Sequence, residues 1–144
     1  MERVSALLDA HGTGLLATTA ADGAPHVRWL TPAVLPNRPD AIYALTGPAF
    51  AKVAQVRAHP GVEWMFQDPS LTEIVTVRGT MSVVDNPSLR SEVLEAVGPR
   101  LRAFWKLAKD GRDLAVLETA IVEAARYLPM EGRKSVVRFG GAGR

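Results

Sequence analysis

Arg28 and Lys52 are the two residues whose types and positions most readily suggest chemistry in this chain. Arg28 follows an Asp22-Gly23 turn in an alternating stretch, so it stands on a strand. Lys52 falls in the first turn of a helix opened by Gly47-Pro48, since proline is well tolerated at a helix start. Such a start carries unpaired backbone N–H groups and the positive end of the helix dipole, so a cation there is locally disfavoured. An anion such as a phosphate reverses that penalty and accepts the free amides. Thr46, just ahead of the helix, adds a hydroxyl. Spacing alone leaves two readings: a small-anion site, or a lysine that points into solvent.

The remaining candidates carry less. His11, His26 and His59 lie far apart, without an i, i+4 pairing, and the chain has no cysteine, so no metal site is expected. No G-x-S-x-G surrounds any serine. Glu63 and Glu73 lie on neighbouring strand candidates, where carboxylates usually face solvent. Arg100, Arg102, Lys106, Lys109 and Arg112 make a basic helix, but its Phe104 and Trp105 fall on the apolar stripe, so the basic face reads as solvated. No side chain stands out as a general acid or base, and catalytic residues stay unassigned.

Composition narrows the partners. Seventeen Lys and Arg against fifteen Asp and Glu leave a net charge of +2, too little for a protein that grips nucleic acid through its phosphates. The absence of cysteine removes disulfides, thiolate metal sites and a cysteine nucleophile. No stretch approaches the roughly 18–20 apolar residues of a membrane span. Glu2, Arg3 and Asp9 interrupt what would be the apolar core of a signal peptide, so no membrane partner and a cytoplasmic location are expected. A length of 144 residues with 47% hydrophobic content suits one domain over residues 1–144.

The elements that must position Arg28 and Lys52 follow from period and punctuation. Val4, Leu7 and Leu8 predict a short amphipathic helix ending near His11-Gly12. Strands are expected over Gly14–Thr19, His26–Leu35, Ala41–Thr46, Val62–Gln67, Glu73–Val84 and Ser135–Phe139. Asp22-Gly23 is the strongest two-residue hairpin signal, and Asn37-Arg38-Pro39-Asp40 and Asp68-Pro69-Ser70 read as turns. Pro32 and Pro36 predict an edge, a bulge or an early end for their strand, and Gly79 a bulge or close backbone approach. Phe50, Val53, Ala54 and Val56 supply the buried face of the Lys52 helix, which stops at His59-Pro60-Gly61. Asn86-Pro87 has the form of an N-cap with proline at the first helical position, ahead of Leu89, Val93, Leu94 and Val97. A second helix runs to about Lys109, with Leu101, Phe104, Trp105 and Ala108 as its stripe. Leu114–Leu128 fits either helix or strand on period alone. About six strands, joined mostly by hairpins, make a mainly β (α+β) chain whose natural architecture is an antiparallel barrel with short flanking helices.

In order and spacing, these segments resemble the flavin-binding split-barrel family related to pyridoxamine 5'-phosphate oxidase, in particular its short bacterial branch of general stress proteins. The residues that carry the resemblance are Gly14-Leu-Leu-Ala-Thr-Thr19, Asp22-Gly-x-Pro-x-x-Arg28, Thr46 with Lys52, His59-Pro-Gly-Val62, and Val77-Arg-Gly-Thr80 followed by Asp85-Asn-Pro87. It implies a six-stranded antiparallel split barrel that forms a homodimer with FMN between the subunits. Arg28 and Lys52 would grip the FMN phosphate, Trp29, Leu30 and Thr31 would pass beside the isoalloxazine ring, and Thr46 would also contact the flavin. It also implies that Leu114–Tyr127 is strand.

Three departures bear on activity. Ala51 stands where the family enzyme has an arginine before its lysine, Ile74 stands where it has a glutamine, and nothing after Tyr127 matches its C-terminal substrate elements. The resemblance therefore implies a flavin-dependent oxidoreductase acting on a small molecule other than pyridoxamine phosphate. The alternatives are a reductase using the deazaflavin F420, or a flavin carrier or sensor without turnover.

Overall fold

A computed structural model describes residues 12–46, 51–97 and 114–139, together with Val4, Ala6 and Leu7. The predicted Gly47-Pro48 helix opening, Phe50, and the basic helix from Arg100 to Arg112 lie outside the described residues. The strands are β1 (Gly14–Thr19), β2 (Pro25–Leu30), β3 (Ala33–Leu35), β4 (Arg38–Thr46), β5 (Gly61–Gln67), β6 (Ile74–Val84), β7 (Ala115–Leu128) and β8 (Arg133–Arg138). Among the described residues, α1 (Ala51–Ala58), α2 (Pro87–Val97) and a short 3-10 turn at Pro129–Glu131 connect them, and Val4, Ala6 and Leu7 are helical. Every strand pairing among the described residues is antiparallel. No helix among the described residues is long and apolar enough to cross a membrane.

The eight strands outnumber the six expected for two reasons. His26–Leu35 breaks at Thr31-Pro32 into β2 and β3, as a proline lacking a ladder N–H requires, and Leu114–Leu128 forms β7. That break also shapes the whole sheet. The strand order is β2-β1-β5-β6-β7-β4-β3, with β8 joining β7 off this path. β2 and β3 therefore end opposite edges, yet Leu30 and Ala33 are three residues apart, about 11 Å of chain at most. The sheet has to curl until its ends meet. β7 carries the split: its first half pairs with β4 from Ala115 to Ala120, and its second half with β8 from Glu123 to Leu128.

Local chemistry explains the junctions. The β1–β2 hairpin is longer than a two-residue turn. Ala20 N–H donates to Ala24 C=O, Gly23 N–H to Ala20 C=O, and Gly23 takes φ +90°. The Asp22 carboxylate also accepts from Ala24 N–H at 3.0 Å. The Pro36-Asn37 pair turns the chain between β3 and β4, so Arg38–Asp40 is strand where a turn was expected. Gly79 sits at the register shift between β6 and β7, where an added Cβ would lie 2.3 Å from the Ala120 carbonyl oxygen. Asn86 caps α2, its side-chain oxygen accepting from Leu89 N–H at 3.1 Å.

Two apolar layers hold the fold. Leu16, Ile42, Trp64, Phe66, Val77 and Leu117 fill the barrel interior beneath Val4 and Leu7. Tyr43, Leu45, Leu89, Val93, Val97 and Val116 pack between the outer face of the sheet and α2. Each fully buried Leu, Ile, Val or Phe of these layers contributes roughly 1.5–3 kcal/mol. Trp64 finds its polar partner inside, donating Nε1–H to Thr119 at 3.0 Å. α1 buries Val53 and Val56, while Ala54, expected on that face, is exposed.

Candidate functional site

Arg28 stands opposite Leu16 in the β1–β2 ladder, and its side chain turns inward over β1. The guanidinium Nη1 donates to the Thr18 hydroxyl at 2.6 Å and weakly to the Leu16 carbonyl at 3.4 Å. Nη2 donates to Gln55 Oε1 on α1 at 2.9 Å. Thr18, itself 2% exposed, donates its own hydroxyl to the same Gln55 oxygen at 2.5 Å. Among the described residues, all three acceptors around this cation are neutral, and no carboxylate is paired with it. Partial burial pulls the Arg28 pKa below its ordinary value, the direction expected of a charge losing water without gaining a counterion.

The helix that meets Arg28 is the one that carries Lys52. Gln55 follows Lys52 by three residues on α1, so the two positions share a face. The side chain of Lys52 and residues 47–50 ahead of its helix lie outside the described residues. Thr46 closes β4 ahead of α1; it is 1% exposed, and its hydroxyl has no hydrogen-bond partner among the described residues. An orphaned buried hydroxyl of this kind normally costs about 1–3 kcal/mol, which an acceptor or donor supplied from outside the chain would remove.

The β2 residues beyond Arg28 divide between two faces. Leu30 packs against the barrel core on the same side as Arg28, whereas Trp29 is 63% exposed on the opposite side, next to the 64% exposed Val27. Successive strand residues point apart, so only a ligand running along the free edge of β2 could touch both Arg28 and Trp29. β2 is such an edge strand, with no strand among the described residues paired to its outer side. Thr31 lies just past the strand and is half-buried.

Thr18 and Gln55 were not foreseen. Thr18 did leave a signal: it occupies the inward period of β1, after Gly14 and Leu16, where a polar residue needs a partner. Gln55 left only its i+3 spacing from Lys52. Glu73 corrects the expectation of a solvent-facing carboxylate: it is 7% exposed and accepts from Arg126 Nε at 2.6 Å.

A separate cleft of about 790 Å³ opens where β4 and β8 part along β7, lined by Arg38, Asp40, Tyr43, Glu118, Ile121 and Arg138 among others. Tyr43 donates its hydroxyl to Glu118 at 2.8 Å, and burial, then that carboxylate, push its pKa up to about 12. Arg28 does not line this cleft. Arg38 begins β4 and Thr46 ends it, which separates them by roughly 26 Å of extended strand.

Comparison with known proteins bears on the Arg28 region through the fold. A family model described as pyridoxamine 5'-phosphate oxidase matches residues 1–127. The structure resembles a Clostridium acetobutylicum protein related to general stress protein 26, with a TM-score of 0.75 at 12% identity, over 96% of this chain and 93% of that one. It resembles a Nostoc punctiforme pyridoxamine 5'-phosphate oxidase-related, FMN-binding protein at TM-score 0.66 and 14% identity, over 96% of both chains. It also resembles a Mycobacterium smegmatis heme-binding protein at TM-score 0.72 and 19% identity, over 95% of this chain but 57% of that one. No curated protein matches the chain. The structural likenesses confirm an antiparallel split-barrel fold.

Proposed function

Because the chain belongs to the pyridoxamine 5'-phosphate oxidase family, we propose that it is a flavoprotein that binds FMN at the Arg28 edge and uses it to oxidise or reduce a small molecule. The observation that carries this reading is the half-buried Arg28 guanidinium, held by three neutral oxygens and lacking a carboxylate among the described residues. A cation in that state suits an anion supplied from outside. The Thr46 hydroxyl, buried and without a partner among the described residues, and the position of Lys52 on α1 supply further polar groups toward a phosphate.

Bound FMN would supply hydride or electron transfer, and the protein's part is to bind, orient and shield it. Arg28, Lys52 and Thr46 would hold the phosphate end, and the β2 edge with Trp29, Leu30 and Thr31 would flank the ring. Two cations suit a phosphomonoester, with its charge of −1.5 to −2 near neutral pH, better than a singly charged phosphodiester, which favours FMN over F420. Exposed Val27 and Trp29 on β2, with Tyr127, Val136 and Val137 on β7 and β8, offer apolar surface for a second subunit, so we read the protein as a homodimer with flavin between subunits. Ala51 and Ile74 argue against pyridoxamine phosphate as substrate.

Absorption titration with FMN and with F420 tests the cofactor. The expected result is a saturable FMN complex, one flavin per chain, that raises the melting temperature. Protein that takes up neither flavin contradicts the proposal. Stopped-flow mixing of the FMN complex with NADH or NADPH then separates an oxidoreductase, which bleaches the flavin, from a carrier, which does not.

A further inference from the structure

We propose that Gln55 is a positioning residue of the anion site, which anchors Arg28 with its carbonyl oxygen and offers its amide NH2 to the same anion. This inference rests on the reading that an anion binds at Arg28.

The neighbours of Gln55 decide which end of its amide faces inward. Gln55 Oε1 lies 2.9 Å from Arg28 Nη2 and 2.5 Å from the Thr18 hydroxyl. A guanidinium can only donate, so the atom it meets has to be the amide oxygen. The Thr18 hydroxyl already accepts from Arg28 Nη1, so its single proton is free to go to Gln55. Reversing the amide would set its NH2 against the guanidinium N–H groups. The orientation is therefore fixed by chemistry.

Two consequences follow. The guanidinium is triangulated by two side chains from different elements, Thr18 on β1 and Gln55 on α1, so its position depends on how α1 sits against the sheet. The Gln55 NH2 is left with two N–H donors that no acceptor among the described residues takes up, next to the guanidinium and one helical turn from Lys52. A neutral amide does this without another positive charge. A carboxylate at the same position would instead neutralise Arg28 by pairing with it.

The test measures dissociation constants of FMN and of riboflavin, which lacks the phosphate, by quenching of flavin fluorescence in wild-type protein and in Gln55→Glu, Gln55→Leu and Arg28→Met. Wild type should bind FMN far more tightly than riboflavin, and Arg28→Met should lose that preference. Gln55→Glu should weaken FMN by roughly 30-fold or more, as an internal ion pair competes for Arg28, and leave riboflavin within about threefold. Gln55→Leu should weaken FMN by roughly 10-fold, the factor of one charge-assisted hydrogen bond. The ligand-free melting temperature of Gln55→Glu should not fall, which keeps the test valid if Gln55→Leu folds poorly. If wild type prefers FMN and Arg28→Met abolishes the preference, yet both Gln55 variants keep it, the role of Gln55 is overturned and the anion site stands. If wild type shows no preference for FMN, the anion site falls and the role of Gln55 with it.

Discussion

Replacing Arg28 by methionine separates an arginine kept for a ligand from one kept for the fold. The side chain makes two good hydrogen bonds, at 2.6 and 2.9 Å, and one weak contact at 3.4 Å. At a net 0.5–1.5 kcal/mol for each good bond, their loss costs about 1–3 kcal/mol. Thr18 keeps its bond to Gln55, so its buried hydroxyl is not orphaned. Against this loss stands the relief of holding a partly desolvated charge among neutral groups. Replacing a buried ion pair by apolar groups of similar volume is often neutral or stabilising by about 1–4 kcal/mol, and a lone half-buried cation sheds only its own share of that desolvation cost. Arg28 is only half-buried, so the lower part of that range applies, and methionine retains the apolar contacts of the stem. The two sides nearly cancel. Ligand-free Arg28→Met should unfold in urea within about 1 kcal/mol of wild type, a shift of roughly 3 °C in melting temperature for a chain of this size. Saturating FMN at about one hundred times its dissociation constant should stabilise wild type by about 2.7 kcal/mol and the variant hardly at all. A ligand-free loss above about 3 kcal/mol would make Arg28 a structural keystone and refute the reasoning.

Two further outcomes test the fold away from the Arg28 site. Gly79→Ala should destabilise by more than about 3 kcal/mol in chemical unfolding, because its Cβ would meet the Ala120 carbonyl at 2.3 Å and neither strand of the β6–β7 pair can give way cheaply; a change under 1 kcal/mol contradicts the bulge. Tyr43 should ionise well above the ordinary phenol range when phenolate absorbance is followed with rising pH, since its pKa is pushed up to about 12. The folded state then holds the phenolic proton more tightly than the unfolded chain, so this contribution is complete below pH 10 and is lost as pH rises from about 10 through 12. Tyr43→Phe should flatten alkaline denaturation in that window, and an unchanged profile would count against the buried Tyr43–Glu118 bond.

The legible parts of the fold were those written in local stereochemistry. Gly79 announced a close approach, Asn86-Pro87 a capped helix, and Pro32 a strand interruption, because each rule acts within a few residues. What escaped depended on neighbours far along the chain. Leu114–Leu128 kept no clean period because β7 is covered on both faces at its start, with Val116 under α2 and Leu117 in the barrel. Glu73 read as solvent-facing because its partner, Arg126, is 53 positions away. The site was half legible: Arg28 and Lys52 stood out as cations near a helix start, while Thr18 and Gln55, which fix the guanidinium, are ordinary until strand pairing brings them together. Trp29, taken beside Arg28 as a flavin contact, proves to face the other side of β2, which confines a shared ligand to the strand edge.

The central claim is that Arg28 receives a phosphate, and phosphorus NMR of bound FMN measures it directly. Two cations and a donor amide should hold the phosphate as a dianion, lowering its second pKa from the free value of about 6, so that the bound resonance hardly moves between about pH 5 and 7. The same resonance in Arg28→Met should recover its titration toward the free value. A wild-type FMN complex whose phosphate titrates like free FMN, or a protein to which FMN adds no bound resonance, would contradict the account.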